Sequence, residues 1–162
     1  LIEYLYSNAK TMGADLDGIG LQSPSFFVWA VRDAFTAPLQ RVQIIKGFVD
    51  SNGNPQEQVF DVACSDGGMP DAETYRCPDN NAKVDIASCA FSQDVGAAEL
   101  KTFWTDPTFE VTQRAFYYVR ALENPTCRWS TWDALRNNVE PRSDITKTIQ
   151  ERVWSSPIHY IP

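Results

Sequence analysis

The stretch from Arg114 to Glu123 constrains this chain more than any other, because Phe116, Tyr117, Tyr118, Val119, Ala121 and Leu122 make it the densest apolar run. Aromatic and β-branched side chains fit the pleated, half-buried surface of a sheet. The run therefore reads as a strand, and the rest of the chain has to supply a sheet around it. The material is there, with 5 Trp, 6 Tyr and 9 Phe, most of them in short strand-like runs. A hydrophobic share of 43% beside 22% charged residues is globular in character. At 162 residues, such a chain buries roughly 70% of its unfolded surface, enough for one core.

Further strands are read from turn chemistry. Ser25 to Arg32, between Pro24 and Asp33, is an apolar run short enough for a strand buried on both faces. Arg41 to Asp50 reads as the next strand, with Val42, Ile44 and Phe48 on one face. Ser51-Asn52-Gly53-Asn54 supplies a hairpin turn, since Asn-Gly accepts positive φ, and Gln56 to Ala63 returns. Cys64 to Lys83 is dense in turn formers and reads as a long loop, after which Val84 to Phe91 is expected to rejoin the sheet. Glu99 to Thr105 and Arg114 to Glu123 look like an antiparallel pair joined through Asp106-Pro107, and Ile158 to Ile161 like an edge strand. Gly13 and Gly18-Ile19-Gly20 read as turns or bulges. Helix is scarce: Ser130 to Asn137 suits a short one with Ser130 as N-cap and Asp133 in its first turn. Thr146 to Val153 is a second candidate, ended by Ser155-Ser156-Pro157. The expected fold is an all-β antiparallel β-sandwich, a single domain over residues 1–162, with one or two short helices near the C-terminus. The opening run Leu1 to Tyr6 is strand-like and without an initiator Met, which suits a fragment of a larger protein better than the start of a mature exported one.

Charge narrows the partners. The formal net charge is -7 and the 14 basic residues form no cluster, so phosphate neutralisation along a duplex has no footprint. The aromatics are not interleaved with basic residues as a single-strand groove requires. Nucleic acid is excluded as an expected partner. No stretch approaches the ~20 apolar residues of a bilayer span, and none reads as a signal peptide. Four cysteines, Cys64, Cys77, Cys89 and Cys127, allow three fully paired connectivities. No Cys-x-x-Cys spacing occurs, which opposes a zinc knuckle or a thioredoxin site. Disulfides and buried thiols both stay open. Disulfides would staple the Asp-, Asn-, Gly- and Pro-rich loop that three of these cysteines bracket, and would imply an oxidising compartment such as the periplasm.

Catalytic constellations are hard to assemble from this inventory. His159 is the one histidine, whereas a Ser-His-Asp system needs a positioned histidine and a catalytic zinc site usually two or three. It reads as a surface or packing residue. Asp50-Ser51-Asn52-Gly53-Asn54 resembles the start of a calcium loop, but Pro55 stands where that loop needs glycine, and Asp61 where it needs glutamate. Asp66, Asp71, Glu73, Asp79 and Asp85 lie in the long loop, either as a solvated face or as a calcium site. No nucleophile elbow, phosphate-binding loop or zinc-protease helix is present. The informative segment is Glu123 to Asp133, where Trp129 and Trp132 mix with Arg128 behind a Pro-fixed turn. One reading has the two tryptophans capping the core at a corner. The other makes Arg120, Arg128, Trp129 and Trp132 a domain interface, since Trp and Arg are typical interface anchors.

Several segments carry a resemblance. Arg114 to Thr131, Arg41 to Gly47, Ala98 to Pro107 around Trp104-Thr105-Asp106-Pro107, and Thr148 to Pro157 around Trp154-Ser155-Ser156-Pro157 closely resemble the domain of unknown function 3604 family. The likeness runs over most of the chain and looks like the C-terminal portion of a longer member. The resemblance implies an exported bacterial protein, periplasmic or secreted, whose N-terminal portion is similar to metal-dependent hydrolases of the polymerase-and-histidinol-phosphatase type. The histidine-rich metal motifs of that portion have no counterpart here, so no catalytic, cofactor-binding or metal residue is carried over. A divalent metal is expected, if anywhere, in the N-terminal portion. The leading expectation is a non-catalytic accessory domain that packs against that portion as its partner. The rival is an independent module binding carbohydrate or another ligand through exposed aromatics.

Overall fold

The computed structural model describes residues 1–17 and 22–162; Gly18-Ile19-Gly20, read above as turns or bulges, lies outside the described residues. The chain builds α1 (Ile2–Asn8), β1 (Asp15–Asp17), β2 (Ser25–Val31), β3 (Leu39–Val49), β4 (Pro55–Cys64), β5 (Glu99–Thr105), β6 (Ala115–Glu123), β7 (Thr126–Cys127), α2 (Trp129–Arg136), β8 (Thr148–Ile149), β9 (Arg152–Trp154) and β10 (Ile158–Ile161). The larger sheet runs β1-β10-β6-β3-β4, with β9 also on β6. A two-stranded ribbon, β2 with β5, forms the opposing layer.

The expected β-dominated sandwich is what the chain forms, with layers of unequal size. Side chains alternate along the ribbon, so Phe26, Val28 and Ala30 of β2 and Leu100 and Trp104 of β5 turn toward the large sheet. There they meet Val42, Ile44, Phe60, Val62, Tyr117, Ala121 and Tyr160. Two aromatic contacts cross between the layers, Phe26 to Tyr117 at 4.8 Å and Phe60 to Trp104 at 5.0 Å. The apolar run that anchored the sequence reading, now β6, lies inside the sheet between β3 and β10.

The predicted hairpin of β3 and β4 is present, with Ile44 opposite Phe60 and Gly53 at φ +83° in its turn. Elsewhere tertiary pairing overrides local pattern. Leu1 to Tyr6 is not a strand: Ile2–Asn8 is helical, and none of its residues is buried. Ser25–Val31 is not buried on both faces, because Trp29 and Val31 point outward from the ribbon. Glu99–Thr105 pairs with β2 and not with the Arg114 to Glu123 run, whose two neighbours are β3 and the C-terminal strands. Val84 to Phe91 does not rejoin the sheet and closes on itself through one bridge between its ends. Thr146 to Val153 is not helical, since β8 completes the backbone bonds of β7 and β9 those of β6. Ile158–Ile161 is no edge, being flanked by β6 and, in parallel, by β1. Finally, the N-cap of α2 lies two residues earlier than expected, at Arg128, so Asp133 falls outside the first turn and the Ser130 hydroxyl is buried without a partner among the described residues.

One polar group sits inside the sandwich. Lys46, on the apolar face of β3, places Nζ 2.7 Å from Asp106 and donates to the Thr108 carbonyl at 2.7 Å. Asp106 also accepts from the Tyr117 hydroxyl at 2.8 Å and the Thr108 amide at 2.8 Å. Burial alone would raise the Asp106 carboxyl, but its bonds from Lys46, Thr108 and Tyr117 outweigh that and hold it below the usual range. The same burial and the neighbouring carboxylate push the Tyr117 phenol up. This group ties the β5–β6 connection to the centre of the large sheet.

Candidate functional site

The cysteines are joined as Cys64–Cys77 and Cys89–Cys127, across 13 and 38 residues of sequence. Both pairs fit an oxidising environment. The first ties the end of β4 to the long loop. The second ties the closed turn of Val84 to Phe91 to β7, immediately before α2.

Four of the five loop carboxylates accept backbone amides. Asp66 accepts the Gly96 amide, Asp71 the Thr74 amide, Asp79 the Asn81 amide and Asp85 the Ala87 amide. Asp50 does the same in the hairpin turn, accepting the amides of Asn52 and Asn54 at 2.9 Å each. Hydrogen bonds from Ser65, Thr74 and Ser88 hold Asp66, Asp71 and Asp85 respectively below the ordinary carboxylate range, as that from the Asn54 amide holds Asp50. Among the described residues no three His, Cys, Asp or Glu side chains gather as a metal-holding group. His159 is exposed on β10, its ring 6.2 Å from that of Phe116.

The tryptophan corner does not cap the core. Trp129 is 73% exposed and Trp132 38%. Helix α2 buries Thr131 and Ala134 on its inner side, which turns both indoles outward. The helix is well fixed. Thr131 donates to the Lys147 carbonyl at 2.8 Å, Arg128 reaches the Thr146 carbonyl at 3.2 Å, and the Arg136 guanidinium lies 5.5 Å from the Trp132 ring. Outward aromatics occur on the ribbon as well. Phe27 and Phe103 face each other at 4.8 Å, and the half-exposed Trp29 lies beneath Lys101 at 5.5 Å.

Arg120 does not join this corner. It lines a cleft of about 560 Å³ on the face of the large sheet that points away from the ribbon, with Arg41, Arg76, Gln40, Gln43 and Asp61 among its walls. Antiparallel pairing creates it: Gln43 of β3 stands between Asp61 of β4 and Arg120 of β6. The long loop contributes Arg76 and Cys77, held in place by the Cys64–Cys77 bridge. Asp61, with 2% of its side chain exposed, sits at the base. It accepts Gln43 Nε2 at 2.6 Å and the Cys77 amide at 2.7 Å, while Arg41 and Arg76 approach it at 3.7 and 3.5 Å. Arg120 donates Nε to Gln43 Oε1 at 2.7 Å. Burial lowers the Arg41 guanidinium, Asp61 opposes this, and the charges of Arg120, Arg76 and Arg152 add to the drop.

Sequence reasoning missed this cleft, apart from Arg120 itself. Arg41, Asp61, Arg76 and Gln150 are spread along the chain and converge through sheet pairing and through the loop that Cys64–Cys77 ties to β4. The available signal was the presence of Gln43, Asp61 and Arg120 inside otherwise apolar strands, since a charge in such a strand has to find a partner.

A family model described as a protein of unknown function (DUF3604) matches residues 1–162. No curated protein and no solved structure matches.

Proposed function

The chain belongs to the DUF3604 family of unknown function over its whole length, and on that premise we propose that it is a non-catalytic accessory β-domain of a longer exported bacterial polypeptide, packed against a metal-dependent hydrolase domain. In this reading any divalent metal and the bond-breaking residues belong to that other domain. The observation that carries it is the outward presentation of Trp129 and Trp132 on a helix fixed by hydrogen bonds and followed from a disulfide-anchored strand. Exposed indoles beside Arg128 and Arg136 match the anchors that dominate protein interfaces, and a rigid helix loses little entropy when it docks.

The test is direct. This chain is titrated with the separately produced remainder of the polypeptide, and heat and tryptophan fluorescence are followed. A saturable complex that Trp129→Ala weakens at least about tenfold, the loss of one interface anchor, supports docking. No complex, or one indifferent to both Trp129→Ala and Trp132→Ala, refutes docking through this corner.

A second reading is favoured by the ribbon. Phe27, Trp29 and Phe103 share its outer face, an arrangement suited to stacking on sugar rings. An independent carbohydrate-binding module would bind immobilised polysaccharide as this chain alone and lose binding on Trp29→Ala. The docking reading expects no such retention.

A further inference from the structure

We propose that the cleft formed by Arg41, Arg76 and Arg120 is a binding site for an oxyanion, a carboxylate, phosphate or sulfate, carried by a small polar molecule. This inference is independent of the docking reading, which concerns a different surface.

The first argument is the imbalance of donors and acceptors. Two carboxylates line the cleft against three guanidinium groups: Asp79 is exposed and accepts the Asn81 amide, while Asp61 is buried and takes its short hydrogen bonds from neutral groups, Gln43 and the Cys77 amide. The arginines stand further off, at 3.5 and 3.7 Å. Arg120 touches Asp61 only through Gln43. Asp61 therefore orients the guanidinium groups without consuming them. Among the described residues, Arg120 donates from Nε alone, Arg76 from Nη1 to the Val59 carbonyl, and Arg41 from Nη1 to Gln40. Each retains a terminal amino group with no protein acceptor. A fork of parallel N–H donors is the geometry that receives a carboxylate or phosphate through two bonds at once.

The second argument is electrostatic. Within a chain of net charge -7, three guanidinium groups converge on one cleft, and Arg152 adds its field at Arg41. Mutual repulsion of these like charges is unfavourable and is relieved when an anion enters. The third argument is shape. A volume of about 560 Å³ falls within the roughly 300–1,000 Å³ of small-molecule sites. Gln40, Gln43 and Gln150 line it as well, and bonds from their amides to Asn80, Asp61 and the Glu123 carbonyl give the cleft a fixed polar wall.

The experiment titrates the 162-residue chain with inorganic phosphate, sulfate and acetate at constant ionic strength. Arginine Nε–H resonances and titration heat report binding. Saturation with at least one anion is expected, together with a shift of the Arg120 Nε–H signal. Arg120→Gln should weaken binding by about tenfold to a hundredfold, the worth of a charge-assisted hydrogen bond. Arg120→Lys, which keeps the charge but not the fork, should fall between. Arg114→Gln, at an exposed arginine outside the cleft, should leave affinity unchanged. If Arg120→Gln does not fold, the half-exposed Arg76 is changed to Gln in its place. The absence of saturable binding, or binding weakened equally by Arg114→Gln, overturns the proposal.

Discussion

Replacing Lys46 by Met should be among the most damaging single changes available to this fold, and its effect should depend on pH in a direction the structure dictates. The Lys46 and Asp106 side chains are 2% and 0% exposed, and the amine makes a 2.7 Å ion pair inside the sandwich. Met keeps most of the volume and the contact with Phe48 and Tyr117 but removes the charge. Asp106 is then left buried with only Tyr117 and Thr108 as donors. Removing one partner of a buried pair costs about 3–5 kcal/mol, a large part of the ~5–15 kcal/mol that holds a domain together. Urea unfolding followed by tryptophan fluorescence, under non-reducing conditions at pH 7, measures it as a lower midpoint at constant slope. In the native protein the Asp106 carboxyl lies below its unfolded value of about 3.9. Its contribution is therefore present above that pH and lost as the pH falls through the lower folded value. In Lys46→Met, burial dominates and raises the carboxyl, so the penalty exists above its folded value and is relieved by protonation below. The gap between the two proteins should narrow from pH 7 to about pH 3.5. The double change Lys46→Met with Asp106→Leu should recover much of the loss, as replacing whole buried pairs often does. A cost below about 1 kcal/mol at pH 7, or a cost that ignores pH, would show that the pair is hydrated or unformed and would refute the reasoning.

Other changes test other parts of the fold. On loop-closure entropy, opening Cys89–Cys127 across 38 residues by serine substitution should cost about 4 kcal/mol, and opening Cys64–Cys77 across 13 about 3 kcal/mol; calorimetry of the two variants should rank them in that order. A Cβ at Gly47 would lie 2.2 Å from Phe116 Cζ, because the Phe116 ring covers the glycine from the neighbouring strand. Gly47→Val should therefore destabilise by about 1–3 kcal/mol, and by less in a Phe116→Ala background, as a double-mutant cycle would show. Trp129→Ala, at a side chain 73% exposed, should change the stability of this chain by no more than about 0.5 kcal/mol; a drop of several kcal/mol in urea would mean that the indole packs inside.

What was legible in the sequence was local. The β3–β4 hairpin announced itself through alternation and an Asn-Gly turn, and the β6 run through its aromatic density. Pairing partners were not legible. Glu99–Thr105 sits close to β6 in sequence yet pairs with β2, because an apolar strand bears no mark of its neighbour beyond parity. The first helix escaped notice because Ile2, Tyr4, Leu5 and Tyr6 satisfy strand and helix patterns alike over so short a span. The C-terminal strands were mistaken for helix because β8 and β9 have two and three residues, too few to display a period. The cleft stayed hidden for the same reason as the pairings. Arg41, Arg76 and Arg120 look like scattered surface charges until β3 and β6 are laid side by side and the disulfide folds the long loop back beside β4.

The parallel alignment of β1 with β10, Asp15 beside His159 and Asp17 beside Ile161, has a mechanical consequence. Tension applied to the chain entering β1 and the chain leaving β10 slides these strands along each other, so their bonds are loaded together and not peeled one at a time. Beyond that clamp, the two disulfides keep 13 and 38 residues of spacing from unravelling. At about 3.5 Å per extended residue that shields roughly 45 Å and 130 Å of contour from stretching. Pulled at its two ends, the molecule should yield late and stop roughly 175 Å short of the length its whole chain would reach.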